Sequence, residues 1–433
     1  MTALKTQILR ARDSFWFLPA LLGILALVLA QSLVMLDRYL DSKAFGSWGF
    51  LLYRVGASGS RDILGAIGGS MLAVAATSFS ITISVLATAS STYGPRLVRN
   101  FMSDRGNQFV LGIFGATFLY SLMVLRSVRS QDDGVTFVPD IAVNVAVLLA
   151  VVDVAVLVYF IHHIADSIQV STLSARVRSE LVAVTNALYP KELPSEATEA
   201  RIQPESALAV GSDASGFVVG VDESALIAAA RKAGSVVEMH VRAGTHVIEG
   251  ERIATLTGDT SDAMAKEIRD AVVLGDTRTP TQDVEFAVQQ LTEMAVRAMS
   301  PSTNDPYTAR NALAELAVGM VPLATRPAPL LGRNDADGHY RLTISRPTIP
   351  ELVDQVFDAM RQYGLGNLPA VIGAVELARR IGTATIHEDV RVAVVRQLTA
   401  LRSAFSAGDA DPIDVDTCRR HIDAATSAIV AQA

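Results

Sequence analysis

The sequence is short of charge and almost without cysteine. Only 19% of its 433 residues are Asp, Glu, Lys or Arg, while 50% are hydrophobic, and the mean hydropathy is +0.34. Soluble domains carry roughly 25% charged residues, so part of this chain is expected to lie in lipid. Cys418 is the only cysteine, which excludes an intrachain disulfide and a cysteine-based zinc site and fits a reducing compartment. There is no Walker phosphate loop, His-Glu-x-x-His or Gly-x-Ser-x-Gly elbow, so the sequence points away from a familiar enzyme and no catalytic residue is assigned. The charges are also unevenly placed. Up to residue 160 there are 12 Lys and Arg against 9 Asp and Glu, and beyond it 25 against 35. An acidic second part with no basic cluster argues against nucleic acid as a partner.

Four apolar runs account for the hydropathy. Residues 15–36, 63–90, 109–125 and 139–161 each come near the roughly 20 residues needed to cross about 30 Å of hydrocarbon as a helix. A helix satisfies its own backbone in lipid. The first run is too long for a removed signal and lacks a small-residue cleavage site. Phe15, Trp16 and Phe17 at one end, with Tyr39 beyond the other, suit the interface. Lys5, Arg10 and Arg12 precede the first span, and Arg96, Arg99 and Arg105 separate the second from the third. They mark these segments as cytoplasmic, against a competing group of Arg38, Lys43, Arg54 and Arg61 in the opposite loop. Four spans then leave both termini inside. Residues 44–55, AFGSWGFLLYRV, read as an interfacial segment or a buried outer cap.

Two polar features stand out inside these spans. Ser70, Thr77, Ser80, Ser84, Thr88 and Ser91 of the second fall within about one quarter of the helical circumference, together with Ala66 and Ala73. Small hydroxylated faces let helices pack closely; copies of such a face around an axis also make a hydrated pore in a homo-oligomer. Asp153 sits near the middle of the fourth span, where a carboxylate costs on the order of 3 kcal/mol unless protonated, paired or wetted. It is a candidate functional group, with a structural hydrogen bond to a hydroxyl of the second span as the alternative. His162 and His163, at the cytoplasmic end of that helix, suit a proton relay or simple interfacial anchoring.

Past the membrane, Val170, Leu173, Val177, Leu181, Val184 and Leu188 recur at spacings of three and four up to Tyr189-Pro190. The pattern predicts that the fourth span runs on without a break as a helical stalk, its stripe packed on another stalk or on the cytoplasmic domain. After Pro194 and Pro204, SGFVVGV, a helix near Glu223–Lys232 and SVVEMHVRAGTHVIEGERIATL predict a small β-barrel-like element with tight turns at Gly244 and Gly250. The spacing is similar to half of a biotinyl or lipoyl carrier, but Glu238-Met239-His240 occupies the turn where the carrier lysine belongs, so no cofactor is expected. Glu238, His240 and His246 are read as surface side chains and no metal is assigned.

The remainder reads as a helical bundle. Thr279-Pro280-Thr281-Gln282 has the form of a capping box opening a helix through Met299, and Asp305-Pro306 opens another through Leu323. Arg278, Asp283, Arg297 and Asn304, with Asp305, form a candidate polar cluster between the two helix starts, either a structural network or a ligand site. A short strand is expected at His339–Ser345, followed by helices at Ile349–Tyr363, Leu368–Ile381, His387–Phe405 and Asp414–Val430.

Three blocks carry a resemblance: SSTYGPRLVRNFMSDRGNQFVLGIFGATFLYSLMVLRSV, YFIHHIADSIQVSTL and GDTRTPTQDVEFAVQQLTEMAVRAMSPSTNDPYTA. With their Gly-Pro-Arg, Phe-Ile-His-His and Ser-Pro-x-x-Asn-Asp-Pro motifs they resemble a bacterial family of uncharacterised, predicted integral membrane proteins, known as a domain of unknown function. Gly94 stands where the family usually has Ser, and Ser302-Thr303 where it usually has Gly-Ile. The resemblance implies a multi-pass protein of the bacterial inner (cytoplasmic) membrane and supplies no reaction. The expected class is thus a membrane α-helical domain of four transmembrane helices over 1–161, a stalk over 162–190, and an α+β cytoplasmic domain with a β-rich part at 205–260 and a mainly helical part at 261–433. The leading functional expectation is an oligomeric channel or transport-type protein with a cytoplasmic regulatory domain. The alternative is a membrane-tethered sensor or scaffold that binds a small molecule or protein.

Overall fold

Small side chains set how the first unit packs. The computed structural model describes residues 15–40, 56–129 (except 94–103), 137–201 (except 168) and 207–432 (except 259–260), with backbone alone at 89–93. It divides into two units, Met1–Gln169 and Val170–Ala433. Among the described residues of the first, four helices are long and apolar enough to cross a membrane: α1 (Phe17–Tyr39), α2 (Ala57–Tyr93), α3 (Arg105–Leu125) and α4 (Asp140–Ser167). The buried residues of α1, Gly23, Ala26, Ala30 and Val34, follow a three-four spacing along one face. In lipid there is no hydrophobic drive between helices, so close backbone approach takes its place. A Cβ at Gly112 of α3 would lie 3.1 Å from Pro19 Cα of α1.

Polar groups pin the ends of this bundle. Asp37 at the end of α1 accepts from the backbone N–H groups of Ile141 and Ala142, both at 3.1 Å, and so satisfies two orphan donors at the start of α4. Tyr120 of α3 donates to Ala142 O at 2.9 Å. At the opposite end Asp104 caps α3, and its Oδ1 lies 3.1 Å from His163 Nε2 on α4. Arg96, Arg99, the interfacial segment 44–55 and the Gly94-Pro95-Arg96 motif lie outside the described residues.

The expected unbroken stalk is instead a separate helix. α4 ends at Ser167, and α5 (Val170–Leu188) starts the second unit. Its stripe of Leu173, Val177, Leu181 and Val184 is buried against α8 (Val284–Ala298) and α9 (Pro306–Ala324), so the apolar face packs on its own carboxyl-terminal unit. A Cβ at Gly319 of α9 would sit 2.4 Å from Leu181 Cγ. Arg326, itself buried, donates to Thr185 O at 2.8 Å and Tyr189 O at 2.6 Å and so ties down the end of α5.

The β part is larger than the sequence pattern indicates, and its sheets are open rather than closed into a barrel. One sheet has six strands in the order β1-β8-β9-β4-β6-β2, and the other has three in the order β5-β3-β7. In chain order these are β1 (Ala197–Thr198), β2 (Leu208–Gly211), β3 (Gly216–Val221), β4 (Val236–Met239), β5 (His246–Val247), β6 (Arg252–Thr257), β7 (Val272–Gly275), β8 (Gly332–Asn334) and β9 (Tyr340–Thr343). α6 (Glu223–Ala233) and α7 (Asp262–Ala271) share its core with Val218, Val237, Ile253, Leu256, Ile268 and Leu342. Each such side chain contributes about 1.5–3 kcal/mol. Glu238 and Met239 lie within β4 and not in a turn, so the likeness to a carrier fold fails there. Helices α10 (Ile349–Tyr363), α11 (Leu368–Ala384), α12 (Glu388–Ser406) and α13 (Pro412–Val430) complete the unit.

Candidate functional site

The hydroxylated stripe of α2 faces outward. Ser70, Thr77, Ser80, Ser84 and Thr88 are all exposed on the protomer, as are Ala66 and Ala73. The buried positions of the same helix, Ser60, Leu64, Gly68, Ser78 and Thr82, lie on its other side against the bundle. Thr77 donates to Ala73 O at 2.9 Å and Thr88 to Ser84 O at 3.0 Å, bonds that satisfy hydroxyls in an apolar setting. Ser91 belongs to α2, but its side chain lies outside the described residues.

Asp153 is not on that surface. Its side chain points into the bundle, 1% exposed, and faces Thr117 of α3. The hydroxyl opposite Asp153 therefore comes from the third span and not from the second. Among the described residues neither carboxyl oxygen has a hydrogen-bond partner of ordinary geometry. Asn107, Val110, Phe114, Thr117, Ser121 and Val124 form one buried stripe along α3, and among the described residues the side-chain polar atoms of Asn107 and Ser121 also lack hydrogen-bond partners. Thr117, Ser121 and Asn107 escape a reading for functional residues because each looks ordinary alone. The three-four spacing that puts them on the same face as Val110 and Phe114 is the signal that finds them.

In the second unit the expected polar cluster separates into two. Arg278 donates from Nε to Asp283 Oδ2 at 2.7 Å and from Nη2 to Asp283 Oδ1 at 2.8 Å, a bidentate geometry. Asp283 also caps α8 by accepting from Phe286 N at 2.9 Å. α8 therefore begins after Asp283, not at Thr279, and Gln282 turns away to accept from Val221 N at 2.9 Å. Gly244, at φ +95°, lets the turn approach: a Cβ there would stand 2.3 Å from Asp283 Oδ2. Arg297, Asn304 and Asp305 lie at the far end of α8, whose 15 residues extend about 22 Å at 1.5 Å per residue. There Asp305 caps α9, accepting from Thr308 N at 3.0 Å and Thr308 Oγ1 at 2.6 Å. These bonds, the hydroxyl's first, hold its carboxyl below the usual range. Asn304 takes a left-handed φ of 44° just before that cap.

Arg278 also lines a cleft of about 340 Å³ with His240, Arg242, Thr245, Ser345 and Gln355. Arg242 pairs with Glu285 through Nε at 3.1 Å and Nη2 at 2.9 Å, so both guanidiniums are compensated. His240 Nε2 lies 2.7 Å from Thr255 Oγ1, while His246 packs edge-on against Phe217. Among the described residues no three His, Cys, Asp or Glu side chains converge as metal ligands.

Comparison with known proteins agrees with this architecture. Residues 12–380 match the family described as a predicted membrane protein (DUF2254). The chain belongs to this family. It is 30% identical over 377 residues to the uncharacterized protein Rv1290c of Mycobacterium tuberculosis and, to the same extent, to the uncharacterized protein Mb1321c of Mycobacterium bovis, covering 84% of this chain and 71% of each relative. No solved structure matches. The region matched to the DUF2254 family takes in every candidate residue above and ends inside α11, so α12 and α13 lie beyond it.

Proposed function

We propose that this protein is an oligomeric channel or transport-type protein of the bacterial inner membrane, with both termini and its carboxyl-terminal unit in the cytoplasm, where that unit regulates it. The observation that carries the reading is the outward aspect of the hydroxylated face of α2. Five exposed hydroxyl-bearing side chains flanked by alanine gain little from lipid, whereas a second copy of the same face allows close backbone approach and interhelical bonding. Around a closed symmetry axis, such faces line the centre of the assembly.

Reconstitution of the full-length protein in liposomes, with its oligomeric state measured beside it, tests the proposal. Ser84→Leu is expected to cut ion flux at least about tenfold, the equivalent of roughly 1.4 kcal/mol. If the oligomer persists while flux falls, the face lines the path; if both fall together, the face is the contact between copies. A monomeric wild type with no flux above empty vesicles would defeat the reading. The cleft beside Arg242 and Arg278 favours a second reading, a membrane-tethered sensor or scaffold. Its expectation is that a small molecule or a protein partner binds the full-length protein, and that Arg242→Ala removes this binding.

A further inference from the structure

Asp153 occupies a seam between two apolar layers. On one side Val110, Phe114, Phe160 and Ile164 form a cluster, with Val156 and Leu157 packed against it. On the other, Tyr120, Val124, Ala142 and Ala146 belong to a second, separate cluster, with Leu149 packed against that. Along α4 the carboxyl thus falls between Leu149 and Val156, and along α3 its facing residue Thr117 falls between Phe114 and Tyr120. Phe114 on one side of Thr117 and Tyr120 on the other are fully buried.

Among the described residues nothing ionisable reaches it. Residues 17–36 of α1, 63–92 of α2, 106–125 of α3 and 141–161 of α4 contain no other Asp, Glu, Lys, Arg or His. Tyr120, the titratable side chain of α3, has its hydroxyl committed to Ala142 O; Tyr159 of α4 is stacked on His163. Among the described residues the charged groups stand at the ends, including Asp37, Arg61 and Asp140 at one and Asp104, His163 and Asp166 at the other. The His163–Asp104 pair is ten residues along α4 from Asp153, about 15 Å at 1.5 Å per residue. A bare carboxylate in such a place lacks the pairing a buried charge needs, and no charged group among the described residues supplies it.

We infer that Asp153 is the carboxyl ligand of one small monovalent cation, a proton or a sodium-sized ion, held occluded within each protomer with Thr117 beside it. A single carboxylate balances a single positive charge. A divalent ion calls for several acidic or carbonyl ligands, and no acidic or histidine cluster is present among the described residues. The inference rests on the transport reading only for the claim that an ion crosses the membrane, and goes beyond it in placing a bound ion inside the protomer, off the axis between copies.

Infrared difference spectroscopy of the full-length protein in detergent, with and without sodium and at stepped pH, reads binding without any flux. The expected result is a protonated-carboxyl band that Asp153→Asn abolishes. If the ion is a proton, the band falls as pH rises and ignores sodium. If it is sodium, the band falls on adding sodium at constant pH, and sodium but not choline raises the melting temperature of the wild type. Thr117→Val is expected to shift the band and weaken the sodium response without unfolding the protein. The inference is overturned if the band survives Asp153→Asn, or if neither pH nor sodium moves it in the wild type, which would leave Asp153 a permanently neutral packing group. Flux failure with a responsive band would refute the transport reading alone.

Discussion

Asp283 and Asp153 are equally hidden from solvent and are treated in opposite ways. Asp283, 2% exposed, receives two N–H groups of Arg278 and one backbone N–H. Asp153, 1% exposed, receives no hydrogen bond of ordinary geometry among the described residues. A carboxylate whose lone pairs are all met fixes local structure, here the turn at Gly244 against the start of α8. One that accepts no hydrogen bond of ordinary geometry among the described residues of an apolar interior is a cost that packing does not explain, which is why the functional argument falls on Asp153.

The sharpest way to break this contrast is to remove Asp283. Asp283→Ala leaves Arg278, only 21% exposed, without its partner and strips α8 of its cap. Losing one member of a buried pair costs about 3–5 kcal/mol, and the partial exposure of Arg278 brings the expected loss to about 3 kcal/mol. Denaturant unfolding of the full-length protein followed by circular dichroism measures it. A change under about 0.5 kcal/mol, the scale of ordinary surface substitutions, would show that the pair is ornamental.

Asp335 is a second satisfied carboxylate and extends the comparison to pH. Arg341 Nε at 2.7 Å, with the N–H groups of His339 and Asp337 both at 3.0 Å, holds it and lowers its pKa from 3.8 to about 2. Because the folded value lies below the unfolded one, this group stabilises the fold fully above about pH 4 and loses that contribution as pH falls towards 2. Asp335→Asn should therefore flatten the fall in stability over that window. An unchanged acid slope in the variant would show that other carboxylates set it.

How much of this was readable beforehand depended on whether the deciding contact was local. The four membrane helices follow from hydropathy, since lipid leaves the backbone no alternative. α10 is legible to the residue because Thr348 and Glu351 form a capping box ahead of an amphipathic run. The start of α8 was not. Thr279 and Gln282 have the same local form, but Arg278 draws Asp283 into the cap and Val221 takes Gln282, partners set by tertiary contact. The extent of the main sheet was equally hidden, because β4 pairs with β9 through Val237 and Leu342, strands distant in sequence. Of the candidate site, Asp153 declares itself as a lone charge in an apolar run, whereas the outward aspect of the α2 stripe requires knowing which face α3 and α4 cover.

The smallest expected effect is the most informative. Asp153→Asn keeps the shape of the side chain and removes its charge. If Asp153 were a structural partner like Asp283, the variant would lose a comparable amount of stability. If it holds an exchangeable cation, the amide replaces a group that accepts no hydrogen bond of ordinary geometry among the described residues, and the cost stays below about 1 kcal/mol, of either sign. The melting temperature of the purified variant should then match that of the wild type in choline, while the difference seen with sodium or with pH disappears. A loss near that of Asp283→Ala would move Asp153 into the class of structural carboxylates and leave the bundle interior with no group to carry an ion.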